Sequence, residues 1–414
     1  MHKARRTLLL VGVVALLLGL LPLLTGAGAC NSGTRFFVPQ ADKGAVQQIH
    51  ALMKARDFKD AALLEKMVSK GHAVWLNGGT PAEVRKLARK TVRTARWQHA
   101  LPVFAAYNIP GRDCQQYSAG GALDAASYAA WIDGVAKGIG DARAIVILEP
   151  DGLGLLPSNC GGPKEGYPFT DADRYLELNA AVDRLELQPN VSVYLDATHS
   201  GWQNVGDASQ RLVNAGVARA DGFFLNVSNY QFTKNLVEYG TWISQCIASG
   251  SYGGCPNQYW NGGPATNWAG TALSNYGEWV DTWSGQAADL PLTTAGINSR
   301  YATYPAGTTH FVIDTGRNGL GPWSGGSSYP DRQDWCNAPG RGNGIPPTTN
   351  TGNALVDAYL WVKVPGESDG SCNRGVSGST TDPEWGGIVD PAAGQWFPQQ
   401  ALQLAQLANP ALTW

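Results

Sequence analysis

The stretch "VILEPDGLG", residues 146–154, decides how the rest of the chain is read. It closes a β-branched and aliphatic run, "AIVIL" (144–148), of the kind found in strands covered on both faces. Pro150 has no N–H to give a ladder, so the strand ends near Glu149. Gly152 permits a tight turn, which throws Asp151 out where strand becomes loop. Taken alone, such an Asp is most simply a cap for the next helix. In a barrel of parallel strands, however, that rim is where chemistry is housed.

The same pattern recurs along the chain. Strand-like runs stand at 73–76 (AVWL), 101–107 (LPVFAAY), 144–148, 191–195 (VSVYL), 222–226 (GFFLN), 310–313 (HFVI) and 357–362 (DAYLWV). Amphipathic runs such as "TPAEVRKLARKTVRTARWQ" and "ASYAAWIDGVAKGIG" lie between them. Short apolar strands alternating with helices indicate an α/β fold, a parallel sheet with helices outside. Seven such units predict a distorted, incomplete (β/α) barrel of the TIM type. After almost every strand comes a polar group: Arg112 and Asp113, Glu149 and Asp151, Asp196 with His199 and Trp202, Asn226, Asp314 and Arg317, then Lys363, Glu367 and Asp369. Carboxylates pooled at one barrel mouth repel each other, so stability alone does not gather them.

A net charge of −2 argues against nucleic acid and anionic membranes as partners. Fifteen tryptophans exceed the needs of a core and suit stacking on the apolar faces of sugar rings. With no C-x-x-C pair and no His cluster, a zinc site is not expected, nor is a cofactor. Two chemistries fit acids alone: oxygen-ligated metal hydrolysis and glycoside hydrolysis. The tryptophans favour the second, and Arg112, Arg317 and Lys363 would compete with a cation for the acids. A carbohydrate-binding protein without catalysis is the alternative from another class.

Residues 1–29 read as a secretory signal: basic "MHKARR", an apolar run, and "AGA" ending at Ala29. Residues 30–414 then form a single catalytic domain, with no linker to a second module. The run is long enough to anchor the chain if uncut, and Cys30 is a minor candidate for lipidation; plain secretion is favoured. Six further cysteines, Cys114, Cys160, Cys246, Cys255, Cys336 and Cys372, allow fifteen pairings, of which the sequential one is simplest.

The motifs "YNIPGRDC", "ILEPDGL", "YLDATHSGW", "LNVSNY", "VIDTGRNG", "WVKVPGESDG" and "AGQWFPQQALQLA" resemble, in order, those of glycoside hydrolase family 6, the inverting cellulases. The resemblance spans roughly residues 34 to 412. Gly152 and Thr198 depart from the residues common in the family, without removing a charged group. The resemblance implies Asp151 as general acid, Asp113 beside it, Asp369 as base and Asp196 as a further acid near the cleaved ring. It implies that Lys363 and Glu367 hold hydroxyls, that Tyr107 distorts the ring, and that Trp75 and Trp202 are stacking platforms. Asn226 and Trp361 are assigned as further sugar contacts. Arg112, Asp314 and Arg317 are structural neighbours of the site, the last two as an ion pair. Cys114–Cys160 and Cys336–Cys372 would tie the cleft loops. A monomer acting on β-1,4-glucan, with no obligate protein partner, is expected. Endo attack in an open cleft is favoured over a tunnel. The long insertion at about 248–288 would extend the cleft through Trp260 and Trp268.

Overall fold

The computed structural model describes residues 33–162, 168–259, 273–280, 293–325 and 328–414. Seven strands, β1 (Val74–Leu76), β2 (Val103–Ala106), β3 (Ala144–Leu148), β4 (Val191–Asp196), β5 (Gly222–Leu225), β6 (His310–Asp314) and β7 (Val356–Leu360), pair in sequence order. Every ladder is parallel. The sheet curls until its edges meet: the Ala73 N–H donates to the Trp361 carbonyl at 2.9 Å, and the Trp75 indole to the Val362 carbonyl at 2.9 Å. This is the expected α/β barrel, closed by single hydrogen bonds where a full ladder would stand.

Alternation along each strand sorts the core into two layers, because successive side chains point to opposite faces. Phe104, Val146, Leu148, Val193, Leu195, Phe223 and Phe311 face the helices. Val103, Ala105, Ile145, Ile147, Tyr194, Phe224 and Val312 fill the barrel. The helix layer is built from α3 (Pro81–Trp97), α4 (Ala125–Ile139), α5 (Asp171–Glu186), α6 (Val205–Asn214) and α7 (Thr233–Ser249). Each of the first four starts at an Asp, Asn or Thr whose side chain accepts an orphan N–H; Thr80 with Glu83 and Thr170 with Asp173 form full capping boxes. A satellite cluster packs α1 (Lys43–Lys54) and α2 (Phe58–Val68) on the C-terminal helix α9 (Pro398–Gln406), with Trp361 and Trp396 between them. Among the described residues a further α-helix, α8, is Thr294–Tyr301. Among the described residues no helix is long and apolar enough to cross a membrane.

Strand ends differ from the expected ones in a consistent way. The seventh strand stops at Leu360 because the Val362 and Lys363 N–H groups donate to the Asp314 carboxylate, at 3.2 and 2.9 Å, instead of to a ladder. The fifth stops at Leu225 because Asn226 turns to φ 72° and donates its N–H to the Thr198 carbonyl. The disulfides are sequential: Cys114–Cys160, Cys246–Cys255 and Cys336–Cys372. Of the insertion, 251–259 and 273–280 run without regular structure, and Trp260 and Trp268 lie outside the described residues.

One glycine tests the sheet's closeness. Gly222 opens β5 opposite His310, and a Cβ there would sit 2.0 Å from the His310 carbonyl oxygen, which is backbone and has no room to yield. Gly222→Ala is expected to cost about 1–3 kcal/mol by overpacking, read as a lowered urea midpoint. An unchanged midpoint would mean that β5 and β6 can separate freely.

Candidate active site

Because all seven strands are parallel, their C-terminal ends lie at one end of the barrel, and a cleft of about 960 Å³ opens there. Trp75, Tyr107, Arg112, Asp113, Asp151, Trp202, Lys363, Glu367 and Asp369 all line it. Trp75 and Tyr107 meet edge to face at 5.5 Å, a stable aromatic geometry. Residues that sequence reading did not single out join them: Tyr117 and Trp335, 5.9 Å apart on disulfide-tied loops, and Tyr276 from the insertion. The sequence signals for them were the proximity of Tyr117 to Cys114 and of Trp335 to Cys336, and the place of Tyr276 in the insertion.

The two acids of the opening stretch have different tasks. Glu149, buried, accepts the Asn108 N–H through both oxygens at 2.9 and 3.0 Å and the Ile109 N–H at 3.0 Å. It thereby ties the end of β3 to the end of β2. Burial pushes it up to about 7, against the pull of those N–H groups. Asp151 faces the cleft. The turn between them is made by Glu149 and Asp151 themselves, at φ 53° and 63°. Gly152 has no positive φ; its missing Cβ is needed because one would stand 2.7 Å from the Glu149 carbonyl oxygen. Buried Arg174 braces this turn, donating to the carbonyls of Gly152 (2.7 Å), Leu155 (3.1 Å) and Pro110 (3.2 Å). No local pattern in α5 marked it.

Asp196 and Asp314 behave like Glu149, not like Asp151. Asp196 lies behind the cleft wall and accepts the N–H groups of Leu153, Gly154 and Thr198 at 3.1, 3.0 and 2.8 Å. It carries the acid-bearing loop and does not line the cleft. Asp314 collects the N–H groups of Gly316, Val362, Lys363 and Ser228. The expected Asp314–Arg317 ion pair is replaced by Arg317–Asp369 at 2.7 Å. Asn226 and Trp361 are also outside the cleft. The Asn226 amide is spent on the Asp314 carbonyl and Asn318, and Trp361 points outward to the satellite cluster, its indole on the Ile345 carbonyl.

Electrostatically the cleft is asymmetric. Asp151 is pushed well above the carboxylate range by burial first, then by the charges of Asp196, Asp113 and Asp369. Asp113 is itself raised by burial, and it accepts the Ser118 N–H at 2.6 Å. Burial would raise Asp369 as well, but Arg317, Lys363 and the Asn337 N–H outweigh it and hold the carboxyl below its ordinary value. Lys363 Nζ stands 3.3 Å from Oδ1, and the Arg317 guanidinium stacks on Tyr230 at 4.0 Å. His72 and His199, also in the wall, are driven down to about 4 by burial and are neutral at pH 7. Arg112 holds the loop after β2 through the Asn77, Tyr107 and Ser118 carbonyls. Among the described residues one acidic group has the spacing of metal ligands, Cys372, Asp382 and Asp390, but Cys372 is in a disulfide and Asp382 is bound by Arg374.

A parallel α/β barrel whose open end sets a carboxyl raised above its ordinary value against one held below it, among aromatic walls, is the equipment of a glycoside hydrolase. The profile of Glycosyl hydrolases family 6 matches residues 31–408. Endoglucanase A of Cellulomonas fimi is 33% identical over 361 residues, 86% of this chain and 58% of that protein. The probable 1,4-beta-D-glucan cellobiohydrolase C of Aspergillus terreus is 32% identical over 74% of this chain and 60% of its own length. The solved endoglucanase Cel6 from Mycobacterium tuberculosis, in complex with methyl-cellobiosyl-4-deoxy-4-thio-beta-D-cellobioside, is 31% identical with a TM-score of 0.63, covering 91% of this chain and 98% of that one. The chain belongs to glycosyl hydrolase family 6. It spans a little over half the length of the first curated relatives it matches, 58% and 55%.

The Asp196 charge is the largest charged contribution raising Asp151, after burial. Asp196→Asn removes that charge, so the Asp151 carboxyl loses its proton at lower pH. The basic limb of the rate profile should move to lower pH. A limb that stays put or moves to higher pH would contradict this coupling.

Proposed function

We propose that the protein is a secreted β-1,4-glucanase that hydrolyses cellulose or related β-1,4-glucans with inversion, attacking chains internally. The observation that carries this is the opposite electrostatic treatment of two cleft carboxyls: Asp151 raised, Asp369 lowered. Asp151, whose proton is favoured by burial and by the neighbouring carboxylates, gives it to the glycosidic oxygen. Asp369, ionised and on the opposite strand end, takes the proton of the water that attacks the anomeric carbon from the other face. Inverting enzymes separate the two carboxyls by about 6.5–9.5 Å to admit that water. Asp113 supplies negative charge beside the acid, Lys363 and Glu367 hold sugar hydroxyls, Trp75 and Trp202 offer stacking faces, and Tyr107 presses on the ring at the point of cleavage. Three disulfides and the N-terminal signal pattern support export. The protein acts as a monomer on its polymer.

Support for endo attack comes from the loop that follows the acid. It is moderate in length, and its described part turns into Pro157–Cys160 and is pinned to the neighbouring loop by Cys114–Cys160, which supports an open cleft. One contact favours the other mode. Tyr276 of the insertion donates its hydroxyl to Asp334 at 2.9 Å, and both residues line the cleft, so the insertion reaches the β6–β7 connection. If that bridge spans the bound chain, the enzyme is a cellobiohydrolase.

Asp151→Ala should reduce activity on polymer by on the order of 10²–10⁴-fold. The loss should be much smaller on an activated aryl glycoside or glycosyl fluoride, whose leaving group needs no proton; equal losses on both would remove Asp151 from the acid role. On carboxymethylcellulose, viscosity should fall early, before much reducing sugar appears, and proton NMR should show the α-anomer first. Steady cellobiose release at nearly constant viscosity would establish exo attack, and an initial β-anomer would rule out inversion.

A further inference from the structure

We infer that Asn337 is the positioning residue of the base: it fixes Asp369 so that Oδ2 is held and Oδ1 is the oxygen that receives the proton. The inference rests on the reading of Asp369 as base. Asn337 is fully buried and takes φ 42°, a left-handed conformation that Asn tolerates better than most residues. Its main-chain N–H donates to Asp369 Oδ2 at 2.8 Å. Arg317 Nη1 reaches the same oxygen at 2.7 Å and the Tyr230 hydroxyl reaches it at 3.3 Å. Oδ2 is therefore saturated. The one charged group on Oδ1 is Lys363 Nζ at 3.3 Å, and that ammonium also donates to the Ser368 carbonyl at 2.8 Å. Oδ1 keeps acceptor capacity for water.

The Asn337 side chain holds the backbone that carries the base. Its Oδ1 accepts the Asp369 N–H at 2.8 Å while its Nδ2 donates to the Gly370 carbonyl at 2.9 Å. Its second N–H donates to Asp390 Oδ2 at 2.8 Å, and Ser368 Oγ stands 3.0 Å from Nδ2. Bracing an N–H and a carbonyl at once requires a donor and an acceptor on one short planar group, which a carboxamide supplies and a carboxylate does not. The Cys336–Cys372 disulfide flanks this contact and ties the same two loops. Asn337 touches no reacting atom; it acts through Asp369.

The test compares Asn337→Asp, which keeps the shape and loses the donors, with Asn337→Gly, which keeps the backbone conformation and loses the amide. Asp369→Asn is the reference, and kcat, KM and the pH profile are measured on a soluble β-glucan alongside thermal unfolding. Both Asn337 variants should lose kcat by on the order of 10²-fold, with KM nearly unchanged, as for misplacement of a catalytic group. Asp369 is faced by Arg317 after β6, Lys363 after β7, Tyr230 after β5 and Asp151 across the cleft, and none of these changes in Asn337→Gly. Asn337→Gly keeps the main-chain N–H that donates to Oδ2 but loses the amide that holds Asp369 against it; a carboxylate whose donor is displaced keeps its proton to higher pH, so the acid limb should move to higher pH in that variant. Folded variants with wild-type kcat, or a loss of rate with the acid limb unmoved, would overturn the inference. Should Asn337→Gly not fold, Ser368→Ala removes the hydroxyl bracing the amide, and a smaller shift in the same direction is required of it. If Asp369→Asn retains wild-type rate, the base assignment fails instead.

Discussion

A single buried carboxylate kept charged by two cations organises the cleft. Arg317 is not deprotonated at any ordinary pH, and here it is buried, stacked on Tyr230 and aimed at Asp369. Together with Lys363 it holds the Asp369 carboxyl below its ordinary value, against burial, which favours the protonated form. Removing one partner of such a pair typically costs about 3–5 kcal/mol, because the other charge is left unpaired. The charge of Asp369 then adds to those of Asp196 and Asp113 in keeping the proton on Asp151. The opposite shifts of Asp151 and Asp369 are thus two outcomes of one charge distribution, with Arg317 and Lys363 spent on Asp369.

Holding this arrangement costs backbone strain. Glu149, Asp151, Thr198, Asn226 and Ser228 all have positive φ just beyond strand ends, as does Asp113 further along the loop after β2. Such conformations cost on the order of 1–3 kcal/mol each and persist only where the surroundings over-determine them. Here buried carboxylates supply the compensation. Glu149 gathers the backbone of the loop after β2, Asp196 that of the acid's loop, and Asp314 that of the loops after β5, β6 and β7. Hydrogen bonds from N–H groups to charged acceptors are stronger than neutral ones, which suits them to bent backbone. Two of the disulfides, Cys114–Cys160 and Cys336–Cys372, then join neighbouring cleft loops.

Much of the fold was legible along the chain. The run "AIVIL" is a strand from Ala144 to Leu148, the other six strands lie within a few residues of their expected places, and sequence order is also spatial order. That follows because strand period, β-branched content and turn residues are local properties. The cleft acids Asp113, Asp151 and Asp369 were legible as residues delivered to a rim by short strands. Less legible was which strand-end acid faces the cleft: Asp196 and Asp314, in equally suggestive positions, serve the backbone instead.

The sequence by itself determined the parallel barrel, the end at which its polar groups gather and the identity of those groups, since periodicity and strand order suffice for all three. Only the tertiary structure decided how they are used. Whether a carboxylate is proton donor, base or backbone anchor depends on which partner comes within about 3 Å of its oxygens. Asp369 meets Arg317 from 52 residues away, Asn337 from 32, and Glu149 meets Asn108 from 41. Those separations are closed by the curling of the sheet, and no local pattern encodes which N–H or cation arrives first.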